Sequence, residues 1–195
     1  MDALRDLGAA FGKVAGHFEV VQCPDELEDR MPPNQITLRI PLRQRDDRAI
    51  RELYRRLSAR TRYLRFSLPM PEPPDSLLRL ITSLDDRRRL ALLAESDTVE
   101  GGEVVALSEF AAIDDHTAEV ALVVRDEWQR QGLGTALATR TLLAAEARGF
   151  DLFVAQMLYE NVGVMRLLDR VGVVVSMKIQ RGISEVTFIR RRRSQ

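Results

Sequence analysis

The 195-residue sequence is poor in residues that bind metals or form disulfides, since Cys23 is its only cysteine and His17 and His116 are its only histidines. One cysteine excludes an intrachain disulfide, and these three residues make no convincing zinc site, so we expect no metal. The N-terminus also lacks the basic start and apolar core of a signal peptide. A cytoplasmic location is therefore the simplest interpretation.

An excess of charge of one sign is also missing, because 29 Lys and Arg residues balance 29 Asp and Glu residues. A net charge of zero argues against a dedicated nucleic-acid-binding protein and against binding to an anionic membrane surface. No apolar run approaches the roughly 20 residues that a membrane-spanning helix needs. We therefore expect neither nucleic acid nor membrane as a partner.

The chain is predicted to have a short N-terminal segment, one main domain over residues 35–190 and a basic tail over residues 191–195. Residues 1–34 place apolar side chains at helical spacing before a polar break that contains prolines; these side chains belong to Leu4, Leu7, Phe11, Val14 and Phe18. We expect an amphipathic helix that docks either on its own domain or on a second subunit, which makes a homodimer one prediction.

The main domain alternates strand-like and helix-like patterns in the order strand, two helices, three strands, helix, strand, helix, two strands. Asp46 or Asp47 is predicted to cap the first helix. One long apolar strand ends at Val124, and another spans residues 152–158, after the helix between them. A helix that connects two such strands implies a parallel pair covered by helices.

A glycine-containing turn, Gln129-Arg-Gln-Gly-Leu-Gly134, lies between the strand that ends at Val124 and the helix that follows. The first N–H groups of a helix have no partner within the helix, so such a turn favours an anion, most often a phosphate. Gly132 and Gly134 allow a pyrophosphate to approach the main chain closely. No Lys-Ser or Lys-Thr pair follows, and position 137 is leucine, so the P-loop and the dinucleotide-binding motif are both excluded.

The stretch from Val124 to Gly134 resembles the V-x-x-x-x-[QR]-x-x-G-x-[GA] signature of the GNAT superfamily of acyl-CoA-dependent N-acyltransferases. The order of elements over residues 35–190 also agrees with that superfamily. The resemblance implies an α/β fold in which a mixed, mostly antiparallel twisted sheet has helices on both faces and a splayed central pair of parallel strands. It also implies acetyl-CoA as co-substrate, bound by Leu122, Val123, Val124, Gln129, Arg130, Gln131, Gly132, Leu133, Gly134, Thr135 and Asn161.

The segment that begins at Asn161 is similar to the second motif of the superfamily, in which an asparagine opens a helix and contacts the coenzyme. Helix capping alone is the other interpretation of this residue. Many members carry a tyrosine seven residues later, as the acid that protonates the leaving thiolate. Leu168 stands at that position here, and Val173 replaces the usual phenylalanine. The resemblance therefore does not supply a general acid.

Glu119 is the best candidate for a general base. An amine acceptor must lose a proton before it attacks a thioester, and a carboxylate can accept that proton. Glu119 lies in an otherwise apolar strand, where alternation places it on one face with Ala121 and Val123. We expect a partly desolvated side chain, while a glutamate that points to solvent is the alternative.

Three stretches resemble the Pat-type protein lysine acetyltransferases: residues 118–124, residues 158–161 and the segment Arg62-Tyr-Leu-Arg-Phe66. That resemblance implies Glu119 as the general base, and Tyr63, Arg65 and Phe66 as residues that line the acyl or acceptor end of the site. Core packing of the two aromatic side chains, and an ion pair of Arg65 with a carboxylate, are the alternatives.

The sequence thus predicts an acetyl-CoA-dependent N-acetyltransferase whose amine acceptor attacks the thioester directly. A protein lysine is the preferred acceptor, and a small-molecule amine is the second choice within this class. A non-catalytic acyl-CoA-binding sensor is the alternative from another class, because Leu168 and Val173 depart from the catalytic pattern.

Overall fold

A computed structural model describes residues 36–40, 46–67, 72–82, 87–97 and 102–192. The strands are β1 (Ile36–Arg39), β2 (Arg89–Ser96), β3 (Glu103–Ala112), β4 (Thr117–Val124), β5 (Leu152–Leu158), β6 (Gly172–Gln180) and β7 (Ile183–Arg190). The helices are α1 (Asp47–Arg56), α2 (Ala59–Phe66), α3 (Asp75–Thr82), α4 (Leu133–Glu146) and α5 (Val162–Val171). The helix predicted within residues 1–34 lies outside the described residues. Among the helices of the described ranges, none has the length and apolar composition to cross a membrane.

The seven strands form one sheet in the order β1-β2-β3-β4-β5-β7-β6. Every neighbouring pair is antiparallel except β4 and β5, which are parallel at the centre of the sheet. The connection between these two strands contains α4, as a parallel pair requires. The predicted mixed α/β fold with a central parallel pair is confirmed.

The parallel pair is short, because β4 and β5 pair only at Thr117–Leu152, Ala118–Phe153 and Glu119–Val154. Beyond Glu119, β4 continues to pair with β3 as far as Val124, while β5 pairs with β7. The two central strands therefore diverge, and a gap opens between their C-terminal halves.

Helices cover both faces of the sheet over two separate apolar cores. On one face Leu137 of α4 packs in a cluster with Phe153 and Phe188. On the other face Ile50 and Leu53 of α1 pack in a cluster with sheet residues that include Val123. Burial of this apolar surface is the main favourable term in folding. The two cores fix β4 from both sides, which gives the gap beside it rigid walls.

Two details of the sequence-based prediction are wrong. Three helices, not two, lie between β1 and β2, because residues 59–66 form α2 although none of them is fully buried. Asp46 precedes α1 but does not cap it with its side chain. Its carboxylate instead accepts hydrogen bonds from the Arg39 guanidinium at 2.7 and 2.8 Å, since a buried guanidinium needs a paired charge.

Tyr54 of α1 generates a prediction about alkaline pH. Its side chain is fully buried, and its hydroxyl has no hydrogen-bond partner among the described residues. Burial is the largest cause that raises the pKa of Tyr54 to about 12; Arg65 opposes this effect and Glu109 adds to it. The folded state therefore disfavours the tyrosinate, and the stability that Tyr54 contributes below about pH 10 is lost as the pH rises towards 12.

We expect Tyr54→Phe to be at least as stable as wild type near neutral pH, because it removes an unpaired buried hydroxyl. At about pH 11, one unit above the ordinary pKa of tyrosine, the wild type should have lost roughly 1–1.5 kcal/mol more unfolding free energy than the variant. Urea unfolding of both proteins at about pH 8 and about pH 11 measures the difference. Equal losses in the two proteins would contradict this prediction.

Candidate active site

A cavity of about 500 Å³ occupies the gap where β4 and β5 diverge. Val120 and Ala155 follow the last paired residues of the two strands, and both line the narrow end of the cavity. Residues of α4 and α5 line it on one side, and Thr61, Leu64 and Arg65 of α2 also contribute to its wall. The cavity thus lies at the centre of the sheet, between helices of both faces.

The start of α4 provides main-chain donors at the edge of this cavity. Gly132 precedes the helix with a φ of 90°, in the left-handed region that favours glycine, and it has no side chain that could cap the helix. The first hydrogen bond of the helix runs from Ala136 N to Gly132 O at 3.0 Å. The amides of residues 133–135 precede this bond, so they have no acceptor within the helix and are placed to bind an anion.

Gly134 leaves room beside these amides. A Cβ atom at this position would lie 3.8 Å from Val124 Cγ2 and 3.9 Å from Leu122 Cδ2, which are ordinary contacts. The fold therefore does not require glycine here, yet Gly134 lines the cavity. A ligand that approaches the main chain closely explains this glycine, so the turn fits the pyrophosphate of coenzyme A.

Three arginines add positive charge to the cavity wall: Arg130 in the turn, and Arg166 and Arg170 one turn apart on α5. All three side chains are exposed. The ion pairs within the described part of the chain involve other arginines. Guanidinium groups bind phosphate oxygens well, so the wall suits a ligand with several phosphates.

The two glutamines of the turn hydrogen-bond within the protein. The Gln129 side-chain amide donates to Val124 O at 2.9 Å and to Thr61 Oγ1 at 3.3 Å. The Gln131 amide donates to Glu127 O at 2.6 Å. Gln129 therefore fixes the end of β4 and occupies one acceptor position of the Val124 carbonyl.

Most of the predicted coenzyme-binding residues lie together. Those that line the cavity are Leu122, Val123, Val124, Gln129, Arg130, Gly132, Gly134, Thr135 and Asn161. Gln131 is exposed and lies outside the lining, and Leu133, the first residue of α4, buries its side chain in the core. Asn161 also caps α5, because its Oδ1 accepts from Val164 N at 3.3 Å. Coenzyme binding by these residues stays a prediction.

Glu119 stands beside the narrow end of the cavity. It is the last residue of β4 that pairs with β5, directly before the cavity-lining Val120. Its side chain shares a face with Val123, which packs against α1, so it points away from α4. The side chain is exposed, so the expectation of partial desolvation is wrong. Its role as general base stays a prediction.

The three predicted acceptor-site residues, Tyr63, Arg65 and Phe66, do not all line the cavity. Arg65 lines the cavity and its guanidinium forms an ion pair with Glu109 at 2.9 Å. Phe66 stacks on Tyr54 with ring centroids 5.3 Å apart, so it packs on the core. Tyr63 is 43% exposed and lies outside the cavity lining. Arg65 is therefore the member of this group that an acceptor in the cavity could meet.

The sequence did not reveal two buried hydroxyls in the cavity wall. Thr141 Oγ1 donates to Ser108 Oγ at 2.8 Å, and both residues are almost fully buried. A serine within an apolar strand was the available signal for Ser108, as a glutamate was for Glu119.

Leu168 is also buried in the cavity wall, at the position where many family members carry a tyrosine acid. In the described residues no cluster of three His, Cys, Asp or Glu side chains could hold a metal ion.

Residues 49–173 match the family of acetyltransferases that is known as the GNAT family. Since this match covers more than half of the sequence, the chain belongs to that family. The described fold thus contains a GNAT acetyltransferase domain.

The chain is similar to Pat-type relatives. It is 28% identical over 120 residues to Acetyltransferase Pat of Mycolicibacterium smegmatis, a match that covers 60% of this chain and 35% of that protein. This chain therefore spans about a third of the length of that relative. It also superposes on the GNAT domain of S. lividans PAT with a TM-score of 0.70 and 25% identity, over 79% of this chain and 90% of that one.

The fold is shared more widely. Spermidine N-acetyltransferase from Vibrio cholerae, in complex with CoA and spermine, superposes with a TM-score of 0.62 and 19% identity, over 80% of this chain and 96% of that one. The similarity to Pat and to the PAT domain confirms the predicted resemblance to the Pat type.

Gly134→Ala tests whether the glycine turn binds the coenzyme. The added methyl makes only ordinary contacts with the protein and suits a helix, so the unfolding free energy should stay equal or rise by up to about 1 kcal/mol. In the cavity the methyl should clash with the pyrophosphate at a cost of roughly 1–3 kcal/mol, which would weaken CoA binding about 5- to 150-fold. Calorimetric titration with CoA and urea unfolding measure the two effects.

Gly132→Ala is the contrasting variant, because its φ of 90° should make alanine destabilising. An unchanged dissociation constant for CoA in Gly134→Ala would exclude close contact between the coenzyme and this residue.

Proposed function

We propose that this domain acetylates a lysine side chain of a protein by direct attack of the amine on the thioester of acetyl-CoA. The observation that carries the proposal is the position of Glu119, which is exposed beside the narrow end of the groove on the face opposite α4. A base at the open surface is accessible to a side chain that projects from another protein.

The reaction needs one proton acceptor and one leaving group. A lysine ammonium has a pKa of about 10.4, so it must lose a proton before it attacks. The Glu119 carboxylate accepts this proton, directly or through water. The amine nitrogen then bonds to the carbonyl carbon, the carbon–sulfur bond breaks, and CoA leaves as a thiolate. The nitrogen gives up its second proton to water as the amide forms. Because Leu168 has no proton to donate, water protonates the thiolate.

The similarity to Acetyltransferase Pat supports a protein acceptor. A small amine is the second candidate, since a spermidine N-acetyltransferase has the same fold. A sensor that binds acyl-CoA without turnover is the third, because the Leu168 side chain replaces a tyrosine acid. The exposure of Glu119 favours the protein acceptor over a small amine, which is usually enclosed in a pocket that removes it from water.

Incubation with acetyl-CoA and a mixture of proteins and free amines tests the acceptor class. We expect mass spectrometry to find acetylated lysines on proteins, at a rate above that of spermidine or free lysine. Acetylated small amines together with unmodified proteins would contradict the lysine acceptor. Binding of CoA without any acetylated product would favour the sensor.

Glu119→Gln tests the general base. Loss of the carboxylate should lower kcat about 10²-fold or more, because general bases contribute roughly that factor. The dissociation constant of CoA should stay within about twofold, since Glu119 lies outside the cavity lining. Glu72→Gln, an exposed glutamate beside α3, is the control and should keep wild-type kcat. Unchanged turnover in Glu119→Gln would mean that another group removes the proton.

Two further predictions concern assembly and location. A homodimer is supported by β6, which is an edge strand of the sheet that the described residues form and which exposes Val175, Met177 and Ile179 there; such edges readily pair with another chain. Light scattering decides this point, and a monomeric mass would contradict it.

The cytoplasmic location stays a prediction that cell fractionation tests.

A further inference from the structure

Helix α2 crosses the gap between β4 and β5 at their C-terminal ends. Its first turn hydrogen-bonds to Asp126, which follows β4, and Arg60 approaches Glu160, which follows β5, with Nη2 and Oε1 3.6 Å apart. Arg65 pairs with Glu109, which lies opposite Ala121 of β4 and therefore on the Glu119 face. Helix α2 thus forms the wall of the cavity on the Glu119 face of the sheet, where we expect the acceptor.

Little within α2 itself holds the helix in place. It has eight residues, and none of them is fully buried. A helix of this length is unstable alone in water, because nucleation costs more than a few hydrogen bonds return. Its position therefore depends on contacts with the rest of the domain, which include the Asp126 hydrogen bonds at its N-terminus, the Arg65–Glu109 ion pair and the stacking of Phe66 on Tyr54.

The Asp126 carboxylate accepts three hydrogen bonds from this turn. Ser58 donates through its main-chain N at 2.9 Å and through Oγ at 2.7 Å, and Thr61 Oγ1 donates at 2.7 Å. Although partial burial opposes ionisation, the bonds from Ser58 and Thr61 hold the pKa of Asp126 below its ordinary value. The carboxylate is therefore charged at neutral pH, and bonds to a charged acceptor are the stronger kind.

The hydrogen bonds around Asp126 extend to the side of the cavity where we expect the coenzyme. Thr61 Oγ1 also accepts from Gln129 Nε2 at 3.3 Å, and Gln129 bonds to Val124 O at the end of β4. Thr61 and Gln129 line the cavity, whereas Asp126 and Ser58 lie outside its lining. Asp126 thus connects the helix to β4 without facing the space that the substrates occupy.

We propose that Asp126 is a positioning residue for acyl transfer, whose carboxylate fixes α2 over the groove so that Leu64 and Arg65 form the acceptor side of the site. The inference rests on the acyl-transfer function proposed above but not on the class of the acceptor. Loss of this anchor should free α2 and weaken acceptor use, while the pyrophosphate turn keeps its own main-chain donors for the coenzyme.

Asp126→Asn is the test variant, because asparagine keeps one acceptor oxygen but loses the second oxygen and the charge. We expect the amides of residues 62–66, which are hydrogen-bonded within the helix, to exchange hydrogen about tenfold faster or more, as the loss of a charged hydrogen bond implies. The amides of β3 and β4 should keep their protection, which also shows that the variant is folded. KM for the acceptor should rise about tenfold, while the dissociation constant of CoA stays within about threefold.

Asp114→Asn is the matched control. Its carboxylate accepts from His116 N at 2.8 Å and Thr117 N at 2.7 Å, in the turn at the opposite end of β4. It should change neither the exchange of α2 nor KM. Ser58→Ala should reproduce part of the Asp126→Asn effect, and the double variant should show less than the sum of the two, because both changes break the same bonds.

The proposal fails if α2 keeps its protection in Asp126→Asn, or if CoA binding weakens as much as acceptor use. These outcomes differ from a failure of the proposed function, in which the wild type transfers no acetyl group to any amine. Hydrogen exchange of α2 then still tests the anchor, because it needs no turnover.

Discussion

The structure depends on the divergence of β4 and β5 beyond Glu119 and Val154. Two neighbouring strands at the centre of a sheet normally pair along their whole length, since unpaired main-chain groups in an interior are costly. Here β3 and β7 hold the outer sides of the pair, and helices cover both faces. The gap is therefore rigid, and its exposed main chain is available to a ligand with amides of its own.

In the function proposed above, this gap gives the two substrates separate approaches. We expect the phosphates to meet the start of α4 and the arginines of the wall, on the side where α4 and α5 lie. We expect the acceptor to approach from the other face, where Glu119 is exposed and α2 forms the wall. The proposal places the thioester near Val120 and Ala155, where the two approaches meet. Such an arrangement positions the reactants, which is a large part of catalysis.

Local sequence patterns predicted the strand, turn and helix that form the expected coenzyme side of the site. The strand of residues 117–124, the glycine turn and α4 follow from apolar runs and from Gly132, whose φ of 90° suits few other residues. Gly149, which follows α4, also has a positive φ, of 98°. The order of strands and their single parallel pair followed from the same patterns together with the resemblance.

The features that the sequence did not predict depend on contacts between residues that are far apart in the chain. Helix α2 has no buried stripe, so periodicity missed it, and its anchor at Asp126 is 68 residues away from Ser58. The Asp46 side chain bonds to Arg39 rather than to its own helix. The exposure of Glu119 depends on where β4 and β5 stop pairing, which no alternation of residue types encodes.

A crystal structure with coenzyme A tests the central claim most directly, because that claim concerns where one sulfur atom lies. The predicted result is a pyrophosphate on the amides of residues 133–135, with the thiol between Val120 and Ala155 and facing the side of Glu119. A thiol that lies elsewhere, or a coenzyme bound outside the gap between β4 and β5, would contradict it.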